Sequence, residues 1–353
     1  MRASLLSIFT IAAAISSVAA HPERHDRHNP KHAPHTISRR TDKCAGQINE
    51  RRDTALKKRR NVLNKRGAKT LSPGRYMYSE LQNTTCLLAP DTIFGPYDVD
   101  GELHRHDTRE GQEGVNLFLD LGLIDVETCE PLPDAWLTIW VCTLPSSIPD
   151  PLLTTFSPAM PPEAILDIPE ADGTTDDETF LRGISKTNED GIAEFLTIFP
   201  GYYDSRTTHI HVTVQTNVTN EDTSYSAAAV EHIGQLFFPE ELINSVYELA
   251  PYHAHLATLN RTLNSEDSVY SVANADGYSA IISTQLLGQT IADGLIGYIT
   301  IGVNKTAAAL ATTGTQVNVQ GYLPTVSLTS GAQAAANSKD LAEGYRANGL
   351  RKH

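Results

Sequence analysis

The chain has 353 residues, 40% hydrophobic and 20% charged, with a formal net charge of −14; that is apolar material for one good core, and a single domain of about 200 to 250 residues accounts for it. The charge is split, because residues 21 to 70 hold 15 Lys and Arg against 5 Asp and Glu, whereas residues 71 to 353 hold 12 against 37. The body is therefore acidic, which excludes it from the phosphate contacts that dominate nucleic-acid binding.

Residues 1 to 20, "MRASLLSIFTIAAAISSVAA", join a basic second residue to an apolar run and end in small residues, as a cleavable secretory signal does. No later stretch reaches the roughly 18 uninterrupted apolar residues of a span, so a released extracellular protein without a membrane anchor is expected. Secretion favours disulfides for Cys44, Cys86, Cys129 and Cys142, with three pairings open. Sequons at Asn83, Asn217, Asn260 and Asn304 fit the same route.

Residues 21 to 43 are polar, carry five histidines and lack any apolar period, and are expected to be a disordered leader. A chain beginning at His21 would offer the terminal amine and imidazole that some copper enzymes use, but His21 opens a polar leader rather than a packed strand. Residues 44 to 84 hold a basic helix and a linker; Ile48, Ala55, Leu56, Val62 and Leu63 approximate one apolar stripe on a charged rod.

From about residue 85 the pattern turns to short apolar runs cut by Pro, Gly and Asp. "VNLFLDLGLIDVETCEPLPDAWLTIWVC" gives two strands, "GIAEFLTIFPGYY" and "THIHVTVQTNV" two more, and "GLIGYITIGV" a last one before residue 305. These predict an all-β, antiparallel β-sandwich over 85 to 305, with a short helix at 238 to 249 starting near Pro239. Residues 306 to 353 are rich in Ala, Thr, Ser and Gly, and a low-complexity, mostly disordered tail is expected.

The chemistry concentrates in "GYYDSRTTHIHV", residues 201 to 212. Side chains at i and i+2 of a strand point the same way, so His209 and His211 present both imidazoles on one face. Alone, that spacing serves a core or surface pair as readily as a metal. Tyr203 adds a hard anionic donor suited to a ferric ion, and Arg206 a fixed positive charge suited to an anionic substrate. "ELHRHD" and "PYHAHL" hold two further pairs, His104 with His106 and His253 with His255, which are expected at the surface.

"FGPYDVDGEL", "VETCEPLPDAWLTIWVC", "TFLRGISKTNEDGIAEFLTIFPGYY", "RTTHIHV", "EHIGQLFF" and "DGLIGYITIGV" closely resemble, in that order, segments of the fungal secreted intradiol ring-cleavage dioxygenases, the catechol and protocatechuate dioxygenase group. The resemblance implies a β-sandwich holding non-haem Fe(III) through two tyrosines and two histidines. It implies O2-dependent cleavage of a small aromatic diol between its hydroxyls. By position it makes Tyr203, His209 and His211 metal ligands, gives Arg206 and Tyr203 catalytic roles, and places Tyr97 and Arg206 at the substrate. Oligomeric state is left unspecified.

One ligand departs from the family pattern. Val141 stands where the family has a histidine in "IWHCN", Ile148 falls roughly where the first tyrosine ligand belongs, and no tyrosine occurs between residues 98 and 201. Losing a phenolate weakens ferric binding and raises the reduction potential. A catalytically impaired secreted sandwich that binds metal, phenolics or a cell-wall partner is therefore the alternative. Tyr202, Asp150 and Asp167 are the neighbours that could replace the donor, although Tyr202 should face away from Tyr203.

Overall fold

Leu117, Leu119, Leu121 and Leu123 recur at every second position of the first strand and are each fully buried, the period-two signature of a strand with one face on a core. This strand, β1 (Asn116–Asp125), opens a computed structural model that describes residues 103–141, 181–202, 206–216, 230–256, 260–275, 277–305 and 330–342, with isolated positions between 50 and 61. Further strands are β2 (Trp136–Val141), β3 (Arg182–Lys186), β4 (Ile192–Ile198), β5 (His209–Gln215), β6 (Val230–Phe237), β7 (Ser283–Leu286) and β8 (Leu295–Val303). Helices are α1 (Glu240–Tyr247), α2 (Tyr252–Leu256), α3 (Ser268–Ala273) and α4 (Ser330–Ala342).

The strands form two four-stranded sheets, in the orders β4-β1-β8-β7 and β3-β2-β5-β6. One apolar cluster draws on both, with Leu117 to Leu123, Phe195 and Ile301 from the first and Leu137, Ile139, Ile210, Val212, Val214 and Leu236 from the second. Mostly sheet with few helices, the architecture agrees with the expected β class. One pairing differs: β1 and β8 run parallel, from Leu117 opposite Leu295 to Asp125 opposite Val303. A hairpin enforces antiparallel neighbours, but these strands are the first and last, and their long connection imposes no direction. Burial along the whole of "LIGYITIGV" suits an interior strand of such a sheet.

The signal segment, the His-rich leader and the apolar stripe of the basic segment lie outside the described residues; Glu50, Asp53, Thr54, Lys57 and Asn61 are helical and exposed. Cys129 is disulfide-bonded, and its partner also lies outside them. The helix read at 238 to 249 is α1, preceded by Pro239.

Part of the tail is helical: within residues expected to be mostly disordered, Ser330–Ala342 form α4, which docks on residues 103 to 108. That segment closes the gap between the sheets: Leu103 and Arg105 bond to Ile184 on β3, while His106 and Thr108 bond to Leu196 on β4. Both are edge strands, which are open to stray pairing unless covered. Asp340 of α4, with no exposed surface, accepts from the His106 N–H at 2.9 Å and the Asp107 N–H at 2.9 Å. Gln333 accepts from the His104 N–H at 3.0 Å and donates to its carbonyl at 2.7 Å. An Ala-rich sequence has helix propensity without an obvious apolar stripe, so this docking was illegible from composition. It also buries His104 and His106, contrary to the surface placement expected of them; His106 Nδ1–H donates to the Glu194 carbonyl at 2.6 Å.

Asp340→Ala leaves two buried amides without their acceptor and is expected to lower stability by about 1–3 kcal/mol in denaturant unfolding. Truncation before residue 330 is expected to cost at least as much.

Candidate metal centre

The alternation of β5 sends Ile210, Val212 and Val214 into the shared core and His209 and His211 to the opposite face of the sheet. Both imidazoles are nonetheless 1% exposed. Cross-strand register puts Trp140 of β2 beside His211, stacked at 4.7 Å with rings 8° from parallel, and Gln235 and Phe237 of β6 opposite His211 and His209. Val141 belongs to the core-facing set, so a side chain there points away from the histidines.

Hydrogen bonding fixes one tautomer. His209 Nδ1 lies 2.6 Å from the Thr207 carbonyl oxygen, which only accepts, so Nδ1 carries the proton and Nε2 offers a lone pair. That Nε2 faces His211 Nε2 at 3.1 Å. Two nitrogens each about 2.1 Å from one metal ion, at roughly a right angle, stand about 3 Å apart. The pair thus fits two neighbouring positions of one ion, or a single proton shared when no ion is bound. Among the described residues no group of three or more His, Cys, Asp or Glu side chains is placed to hold a metal. Tyr203 and Tyr97 lie outside the described residues, as do Ile148, Asp150 and Asp167.

Arg206 joins this region, but not as a lone charge. It is 4% exposed; its Nε donates to Asp267 Oδ2 at 2.9 Å, and its other arm donates to the side-chain oxygen of Gln235. Asp267 also accepts from the Thr207 N–H at 2.9 Å through Oδ2, and from the Val269 and Tyr270 N–H groups at 2.8 and 3.0 Å through Oδ1. It thereby caps α3. Burial pushes the Asp267 carboxyl up, but the Arg206 guanidinium, the His209 imidazole and the donated amides outweigh it and hold the group below its ordinary value. Sequence reading found Arg206 and missed Asp267, which lies 61 positions away; the capping signal in "EDSVY" was legible, the ion pair was not.

The turn at 199 to 202, which leads to Tyr203, is braced from the helices. Tyr252 Oη donates to the Phe199 carbonyl at 2.9 Å and Tyr247 Oη to the Pro200 carbonyl at 3.1 Å. Tyr202 stacks on His255 at 4.2 Å and is part of the core cluster. Burial pushes its phenol up to about 12, against a weaker opposing pull from Arg261, and its ring belongs to a core cluster of which neither His209 nor His211 is a member. His255 is buried rather than at the surface, and His253 is exposed. The pair is split because α2 separates its i and i+2 side chains by about 200°, where a strand would align them. His104 stands against Trp136, 4.7 Å between centroids, at the far end of β2 from Trp140.

Solved structures similar to this chain include an intradiol ring-cleavage dioxygenase from Tetranychus urticae, 29% identical over 64% of this chain and 98% of that one, TM-score 0.49. A second dioxygenase is 27% identical over 64% of this chain and 97% of that one, TM-score 0.50. Catechol 1,2-dioxygenase from Pseudomonas arvilla C-1 is 16% identical over 64% and 65%, TM-score 0.38. The structural neighbours are thus intradiol ring-cleavage dioxygenases at low sequence identity. No family model matches the chain, and no curated protein matches it.

Burial holds the His255 imidazole down at about 4, against 6.5 for a free one. Below pH 6.5 the unfolded chain takes up a proton that the folded one refuses, so this contribution is intact above 6.5 and is lost as pH falls toward 4. His255→Phe is expected to reduce the loss of unfolding free energy between pH 7 and 4.5 by roughly 2–3 kcal/mol relative to the native chain.

Proposed function

We propose that this chain is a secreted β-sandwich protein of the intradiol dioxygenase kind, which holds a non-haem ferric ion through Tyr203, His209 and His211 and receives a catechol-type diol and O2. The observation that carries the reading is the pair of buried Nε2 atoms 3.1 Å apart, one of them kept as a lone pair by the Thr207 carbonyl. Likeness to a dioxygenase at 27% identity supports the class of chemistry, and the six resembling segments support the aromatic diol. For the secretory route, the leader sequence and the exposed sequon residue Asn260 are the support.

When bound, the ferric ion would supply the Lewis acidity and one-electron chemistry that let a chelated diol react with O2. The chain's own part is to prepare the place. His209 keeps its proton on Nδ1, so that Nε2 is available without a tautomer change. Trp140 lies flat against His211 and keeps water from that ring. Arg206 offers positive charge to an anionic diol from a guanidinium already oriented by Asp267 and Gln235. Because Asp267 answers much of that charge, its pull on the substrate is weaker than that of an unpaired arginine.

The absence of tyrosine between residues 98 and 201 favours a second reading, a binding protein that keeps the metal or a phenolic without turning it over. One set of measurements separates the two. For the oxygenase reading, protein purified without added metal is expected to carry iron near stoichiometrically and to show a tyrosinate-to-iron band. It should also take up O2 with catechols to give muconate-like absorbance. His209→Ala and His211→Ala should each remove most of the iron. Iron-loaded protein with neither band nor O2 uptake across several catechols would overturn the oxygenase reading.

A further inference from the structure

Asp267 accepts donors from two separate parts of the chain, and what it holds leads to the histidine pair. Its Oδ1 takes the amides of Val269 and Tyr270 at the start of α3, and its Oδ2 takes Arg206 Nε and the Thr207 amide. The Thr207 backbone is thereby held at its N–H by Asp267 and at its carbonyl by His209 Nδ1–H at 2.6 Å. Thr207 Oγ1 is tied as well, donating to Asn264 Oδ1 at 2.8 Å. The two backbone groups lie in the peptide units on either side of the Thr207 Cα, so with the hydroxyl tied as well the residue is pinned at three points. The guanidinium fixed by Oδ2 reaches Gln235, which lies directly opposite His211 in the β5–β6 register. One fully buried carboxylate thus reaches the first histidine through the backbone of Thr207 and the neighbourhood of the second through an arginine.

We infer that Asp267 is a positioning residue for the histidine pair: by pinning the backbone of Thr207 it holds the carbonyl that sets the tautomer and ring orientation of His209 and so fixes the direction of the Nε2 lone pair. The role in metal capture rests on the function proposed above, whereas the tautomer control does not. Asp267 is not itself among the residues proposed to hold the metal. Its action is that of a group bonded behind a ligand, where substitutions commonly weaken metal affinity by about 10- to 100-fold.

The test uses the full mature chain with Asp267→Asn and reads two things. A side-chain amide in place of the carboxylate cannot accept at both of its ends, so either the Arg206 and Thr207 donors or the α3 amides lose their acceptor. In metal-free protein with labelled histidine, the ring-nitrogen NMR shifts of His209 should report the Nδ1–H tautomer in the native chain and a mixture of tautomers in the variant. Iron affinity, measured by chelator competition, should fall about 10- to 100-fold. Asp340→Ala serves as the control for mere destabilisation, since it should lower the unfolding midpoint and leave the His209 shifts in place. Arg206→Met with Asp267→Ser is measured beside it and decides the case in which the Asn oxygen stays on Arg206 and Thr207, or in which Asp267→Asn does not fold. That pair keeps a hydroxyl cap for α3, leaves no buried charge unanswered, and still withdraws the acceptor from Thr207; it should give the same tautomer mixture. Native-like His209 shifts in the Arg206→Met, Asp267→Ser protein, where Thr207 has lost its acceptor, would overturn the inference. A native chain that shows the tautomer control yet takes up no iron would leave the inference standing and sink the proposed function instead.

Discussion

A strand buried on both faces cannot be apolar on one side and solvated on the other, and β5 is such a strand. Its odd and even positions serve different ends: Ile210, Val212 and Val214 fill the core common to the two sheets, while His209 and His211 stand on the reverse face, also out of water. A one-residue slip in register would drive both imidazoles into the core and three aliphatic chains out of it, so the apolar pattern that drives folding also aims the histidines. The orientation of the candidate centre is in this sense a by-product of core formation. Val141 illustrates the converse, since its place in the alternation of β2 puts it on the core side.

What alternation does not supply is rigidity, and here buried carboxylates take over. Asp267 and Asp340 each receive backbone N–H groups from a segment distant in the chain, Thr207 in one case and His106 with Asp107 in the other. Burying a carboxylate is unfavourable unless its lone pairs are occupied, and occupied lone pairs make the site intolerant of movement. The two differ in their electrostatics. Asp267 faces the Arg206 guanidinium, and its acidity is enhanced despite burial. At Asp340 burial is the larger effect and raises the pKa, against the pull of His106 and the two amides. The first network serves the candidate centre, and the second seals the sheet edges behind α4.

The aromatic cluster around Tyr202, Tyr247, Tyr252 and His255 has a related role. Each phenol is kept neutral by burial, and two of them commit their hydroxyls to the carbonyls of Phe199 and Pro200. The turn preceding Tyr203 is therefore held by neutral hydrogen bonds and ring contacts rather than by charge.

Sequence by itself determined the β class, five of the eight strands among the described residues, the α1 helix, and the same-face placement of His209 and His211. All of these follow from local periodicity, in which neighbours a few residues apart decide the outcome. Tertiary structure alone decided the parallel pairing of β1 with β8, the docking of α4, the burial of His104, His106 and His255, and the pairing of Arg206 with Asp267. Those depend on contacts between residues dozens to hundreds of positions apart, for which a local pattern carries no record. A lone arginine beside a candidate metal pair looks like a free cation until the fold brings its counter-charge, and no spacing rule announces a partner 61 residues downstream.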